Sequence, residues 1–209
     1  MTESYKTVKK DFSSVSFTEK KSEFISYVAR IETEQDALDF VRKIKEKHKD
    51  ATHNVYAYVV KGTQIARASD DGEPQGTAGM PVLEVIKREG IVGVCIVVTR
   101  YFGGILLGAG GLIRAYAKSA KLGLDNAQIC VFTQHITFDI SLSYSDYERV
   151  SKDLDKYSVF CQDTEFTDKV TMHLSTKQQN FDAFCVYIKD LGAGKYTCVQ
   201  TGTVFAPEN

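Results

Sequence analysis

The sequence predicts an α+β protein of two domains, residues 1–126 and 127–209. Three observations carry that prediction. Stretches with helical and strand periodicity alternate along the chain. The pattern restarts around "LDNAQIC" (124–130), after which six elements run in the order βαββαβ, the ferredoxin-like split motif. Charge also changes sign there: residues 1–126 hold 19 Lys/Arg against 16 Asp/Glu, and residues 127–209 hold 7 against 11.

In the first domain, strand-like runs cover 12–18 and 22–31. "TEQDALDFVRKIKEKH" follows as a helix, capped by Thr33, with Leu38, Val41 and Ile44 on one face. Strands are expected at 54–60 and 63–69, joined through Lys61-Gly62. Pro81 opens a helix that ends near Gly90, because proline is tolerated in a first helical turn. The apolar run 91–99 reads as a buried strand, and Leu112, Ile113, Tyr116, Ala117, Ala120 and Leu124 trace one face of a long helix.

In the second domain, Ile136, Phe138, Ile140 and Leu142 alternate with polar residues as in a half-buried strand. "SDYE" (145–148) has the form of a capping box, followed by a helix through Tyr147, Val150 and Leu154. Strands are expected at 157–166 and 168–175. "TKQQ" (176–179) is a second capping box, for a helix carrying Phe181, Phe184, Cys185 and Ile188 and ending at Gly192 or Gly194. "KYTCVQTGTVF" is the last strand.

With 43% hydrophobic and 25% charged residues, the composition is that of a soluble globular protein. No signal peptide or membrane-length apolar run appears, so a cytoplasmic location is expected. Five dispersed cysteines without a C-x-x-C pair disfavour disulfides and zinc, and four dispersed histidines add no metal signature. No catalytic constellation assembles, and no cofactor is called for.

The segment "TRYFGGILLGAGGLIRAY" (99–116) places five glycines where a strand gives way to a helix. Gly103 and Gly108 have P-loop spacing, but Ala109 and Gly110 stand where lysine and a hydroxyl belong. The dinucleotide pattern G-x-G-x-x-G begins at Gly108 and fails at Ile113. Two readings stay open: an anion site at the helix start, aided by Arg100 and Arg114, or glycines that serve backbone conformation and close packing. The acidic loop "SDDGEPQGTAG" (69–79) poses a similar choice. Asp70, Asp71 and Glu73 either hold magnesium through oxygen ligands or form a solvated turn with ion pairs to Arg100 and Arg67.

"KSEFISYVA" (21–29), "ATHNVYAY" (51–58), "ASDDGEPQGTAGMPVLEVI" (68–86) and "VVTRYFGGILLGAGGLIRAY" (97–116) resemble the IMPACT/YigZ family, and the C-terminal unit resembles the small domain of its bacterial members. The resemblance implies a first domain like the fourth domain of elongation factor G, a fold also seen in ribosomal proteins, and a second like its fifth. It further implies a non-enzymatic binding protein in translation or its regulation, with the ribosome, RNA or a protein of translation control as partner and no membrane. It places the signature residues on a binding surface. Lys21, Arg100, Tyr101 and Arg114 are its anion contacts, Gly103, Gly104, Gly108, Gly110 and Gly111 shape it, and Asp70, Asp71 and Glu73 lie beside it. The Arg100 head is expected to emerge at the sheet edge as a ligand contact, so that Arg100→Ala would spare stability. Two rival readings are a magnesium-dependent enzyme acting on a phosphorylated or nucleotide-like metabolite, and a protein-interaction module docking through its acidic second domain.

Overall fold

The computed structural model describes residues 4–208, a mixed α/β chain in two compact units that divide between Val131 and Phe132. The expected boundary at 126/127 falls at the end of a helix a few residues earlier.

The first unit carries β1 (Ser4–Val8), β2 (Phe12–Glu19), β3 (Ser22–Arg30), α1 (Glu34–Lys47), β4 (His53–Val59), β5 (Ala66–Ser69), α2 (Gly79–Glu89), β6 (Val94–Tyr101) and α3 (Ala109–Ala127). Its antiparallel sheet runs β2-β3-β6-β4-β5, with β6 in the middle. Residues alternate between the two faces of a strand. Val94, Ile96 and Val98 of β6 therefore pack with Val82 and Ile86 of α2 and Leu112 and Ala120 of α3. Cys95 and Val97 pack on the other side with Val41 and Ile44 of α1. Burial on both faces explains why β6 reads as an unbroken apolar run.

Thr33 caps α1 as expected, its hydroxyl accepting from the Asp36 amide while the Asp36 carboxylate accepts from the Thr33 amide. Leu38 points outward, and Ala37 takes the buried position. Ile113 is likewise exposed on α3. Helix α2 begins two residues before Pro81. β1 lay outside every sequence expectation; the amide of Val92 donates to its Lys6 carbonyl at 3.0 Å.

The second unit continues with β7 (Ile129–Leu142), α4 (Tyr144–Asp153), a 3-10 turn (Leu154–Tyr157), β8 (Phe160–Phe166), β9 (Val170–Thr176), α5 (Gln178–Leu191) and β10 (Val199–Pro207). The order βαββαβ is as expected; the strands lie β10-β7-β9-β8, each neighbouring pair antiparallel, and β1 also pairs with β7 in this sheet. Ile136, Phe138, Ile140 and Leu142 meet Val150 of α4 and Phe184 and Ile188 of α5 in one core. Both expected capping boxes change. Ser143, not Ser145, caps α4, accepting from the Asp146 amide. Helix α5 has no side-chain cap, because the Thr176 hydroxyl donates to the Ser158 carbonyl at 2.8 Å.

Candidate functional site

Arg100 stands near the end of β6, opposite Phe24 of β3 and His53 of β4. Strand alternation gives it the face of Ile96 and Val98, the one covered by α2 and α3. Its guanidinium therefore enters the interior, and the residue is 4% exposed. Nη1 donates to Glu73 Oε1 at 2.7 Å, and Nη2 donates to Ser22 Oγ at 3.3 Å. The Tyr116 hydroxyl also donates to Glu73 Oε1, at 2.7 Å. Burial first, then the Glu73 carboxylate, push the Tyr116 phenol far above its ordinary range. The rings of Phe24 and Phe102 lie 5.4 and 5.5 Å from the guanidinium carbon.

The sequence expectation for Arg100 is thereby corrected. Its head is not at the sheet edge; it is a buried partner of Glu73. A buried charge is tolerated when paired and hydrogen-bonded, and the helix-covered face leaves the guanidinium no other option.

The acidic loop also serves the fold. Asp70 Oδ1 accepts from the amides of Ala78 and Gly79, and Oδ2 accepts from Gly76, so this carboxylate caps α2 from outside the helix. Asp71 accepts from the Asn54 amide at 2.7 Å and pairs with Lys45 of α1. The three carboxylates thus turn to three different partners, not to a shared centre. Among the described residues no set of three His, Cys, Asp or Glu side chains is arranged to hold a metal ion.

Tyr101 points to the opposite face of the sheet from Arg100. Its hydroxyl meets His48 Nδ1 at 2.8 Å and Asp50 Oδ1 at 3.3 Å, so the two residues do not share one surface. Gly103 answers part of the glycine question: a Cβ there would lie 2.0 Å from the Lys21 carbonyl group, so backbone passes against backbone. Gly104 and Gly108 adopt positive φ of 83° and 72° in open space. Gly110 lies beside the Arg114 guanidinium, and Gly111 packs on Leu107.

What stays open to solvent is a different set of groups. Lys20 and Lys21 form the two-residue turn between β2 and β3, both exposed and both at positive φ. Arg114 and Lys118, one turn apart on α3, are also exposed. Lys20, Arg114 and Lys118 line a cavity of about 270 Å³ together with Glu19, Leu107 and Gly111. Helix α3 starts at Gly108 without a side-chain cap and with no acidic residue in its first turn. Of this face, the sequence reading had Lys21, Arg114, Gly108, Gly110 and Gly111 and missed Lys20 and Lys118.

A second cavity, of about 370 Å³, lies over the Glu73–Arg100 pair, with Phe102, Leu106 and Leu107 among its walls. His53 borders it. Its Nδ1 meets the Asp71 carbonyl at 2.9 Å, so Nδ1 carries the proton, and Nε2 stands 3.8 Å from Glu73 Oε2. His53 and Tyr116 were not singled out from sequence. No histidine pair marked the first, and helical spacing gave the second the role of an apolar core residue.

Residues 20–124 match the model of the Impact N-terminal domain, and residues 140–195 match a domain of unknown function, DUF1949. The chain is 40% identical over 177 residues to the IMPACT family member YvyE of Bacillus subtilis, covering 84% of this chain and 82% of that protein. It belongs to the IMPACT family. Mouse Protein IMPACT is 35% identical over 100 residues, 45% of this chain and 31% of its own length. Among solved structures, one described as a hypothetical protein superposes with a TM-score of 0.60 at 27% identity, covering 96% of this chain and 98% of its own.

Proposed function

We propose that this protein is a non-catalytic binding protein of translation or its regulation, whose first domain touches RNA phosphates through Lys20, Lys21, Arg114 and Lys118. The observation that carries the reading is that these four exposed cations have no ion-pair partner among the described residues and flank an uncapped helix start. Cations left without carboxylate partners, next to backbone amides facing solvent, suit a polyanion. Family membership supplies the link to translation, through the resemblance drawn above. Sedimentation with ribosomes at low salt tests it. Binding should fall steeply as salt rises, and the double change Lys20→Glu, Lys21→Glu should weaken it and flatten the salt dependence. No cosedimentation and no RNA binding at low salt would overturn the reading.

A protein partner is favoured by one other observation: Phe102, Ile105 and Leu106 are exposed on the loop before α3, Leu106 at 82%. Association that survives nuclease treatment and is lost in Leu106→Asp would replace the RNA reading with this one.

A further inference from the structure

We propose that the second domain holds a small oxyanion, a phosphate or carboxylate group, between His135 and the first turn of α5. This site is independent of the cationic face in the first domain. A cavity of about 370 Å³ opens there, and His135, Ser158, Phe160, Lys177, Asn180 and Glu208 are among the residues that line it.

The first observation is the imidazole. His135 sits on β7, opposite Val204 of β10, and is 2% exposed. Neither ring nitrogen has a hydrogen-bond partner among the described residues. Buried polar side chains in folded proteins are nearly always satisfied, and leaving one unsatisfied is unfavourable. Phe160 packs against the imidazole, with 5.8 Å between ring centroids.

The second observation is the start of α5, a 14-residue helix; Lys177 before it and Gln179 and Asn180 of its first turn line the same cavity. Lys177 at its N-cap gives no side-chain cap, and no acidic residue stands in its first turn. The amides of Asn180 and Phe181 turn back to the Lys177 carbonyl, whereas those of Gln178 and Gln179 precede any intrahelical acceptor. The residue that sequence logic assigns as the cap, Thr176, is diverted to Ser158. A helix N-terminus left open in this way attracts negative charge.

Lys177 adds an ammonium at the mouth, where it pairs with the carboxylate of Glu208. The site already accommodates one carboxylate, supplied by the protein's own chain. An incoming oxyanion competes with Glu208 for Lys177 and gains the imidazole and the helix amides. Asp155 is the other carboxylate on the lining; it is exposed, and it sets a modest repulsive background. Imidazole N–H, ammonium and helix amides are donors of three kinds, and an oxyanion presents enough acceptor oxygens to meet them together.

The test is an NMR titration of the full chain with inorganic phosphate, and separately with acetate and a short oligoribonucleotide. Saturable shifts of the His135 ring nitrogens and of the Gln178 and Gln179 amides are expected. Lys177→Ala should weaken phosphate binding about tenfold, and Glu208→Gln should strengthen it several-fold by removing the internal competitor. Tighter binding of the oligoribonucleotide than of phosphate at the same amides would place the group on a nucleic acid; tighter binding of phosphate or acetate would place it on a small metabolite. Shifts that are linear in concentration, or spread over surface lysines, would overturn the proposal. So would an affinity that does not change in Glu208→Gln, a variant at an exposed position outside the core.

Discussion

Arg100 and His135 are both polar, both nearly inaccessible, and both on long strands inside their sheets, yet the two domains treat them in opposite ways. Around Arg100 the fold supplies Glu73, Ser22 and two aromatic rings, and Tyr116 completes the carboxylate. Around His135 it supplies a ring and, among the described residues, no hydrogen-bond partner. A buried polar group whose partners come from its own chain is a structural element, however functional it looks in sequence. The contrast is one of degree: at Arg100 only Nε lacks a partner while both terminal nitrogens are bound, whereas both ring nitrogens of His135 are unmet among the described residues, which is what the proposed oxyanion would supply.

The sharpest test of that contrast is Arg100→Ala. It strands the Glu73 carboxylate in the interior and should cost about 3–5 kcal/mol of stability, read from urea denaturation. The double change Arg100→Ala, Glu73→Gln should recover a good part of the loss, because no charge is then left unpaired. An unchanged melting temperature in the single variant would return Arg100 to the role of ligand contact. Gly103→Ala comes next: its Cβ meets the Lys21 backbone, and the strain should cost about 1–3 kcal/mol.

Asp70→Ala removes the outside cap of α2 and should cost about 0.5–2 kcal/mol. It also carries a pH signature. Burial raises the Asp70 pKa, but hydrogen bonds from the Gly76, Gly79 and Ala78 amides outweigh it, and the net value is lowered. A carboxyl with a depressed folded-state pKa stabilises above its unfolded value, and the benefit is lost as pH falls through the folded one. The acid limb of the stability profile should therefore be shallower in Asp70→Ala. The smallest effect belongs to the other side of the contrast. His135→Leu breaks no hydrogen bond and should change stability by only about 0–1 kcal/mol, in either direction. A loss as large as that of Arg100→Ala would remove the distinction between the two residues.

Elements whose cause is local were legible in the sequence. Alternation at Ile136, Phe138, Ile140 and Leu142 named the buried face of β7, and Thr33 with Asp36 closed a cap within four residues. What escaped depends on groups far apart in the chain. Arg100 adjoins glycines and an acidic loop, which suggests exposure, but α2 and α3 cover the side of β6 that it faces. Thr176 has the sequence of a cap and makes its hydrogen bond to Ser158 across the sheet edge instead. The candidate site was legible in its glycines, Lys21 and Arg114. It was not legible in Lys20 and Lys118, which look like ordinary solvated charges until the β2–β3 turn and α3 are seen to share a cavity.

That turn has one more consequence. Lys20 and Lys21 hold φ of 45° and 63°, a conformation that asparagine followed by glycine adopts with far less resistance. Asn-Gly is the pair that a turn of this geometry favours, and the domain would gain stability from it. Two lysines at this position keep a small, permanent tension in the hairpin, and Lys20→Asn with Lys21→Gly would measure it. The variant should melt higher than the natural protein and, on the function proposed above, should bind RNA more weakly. Such a hairpin sets two charged side chains on a backbone that glycine would occupy more easily.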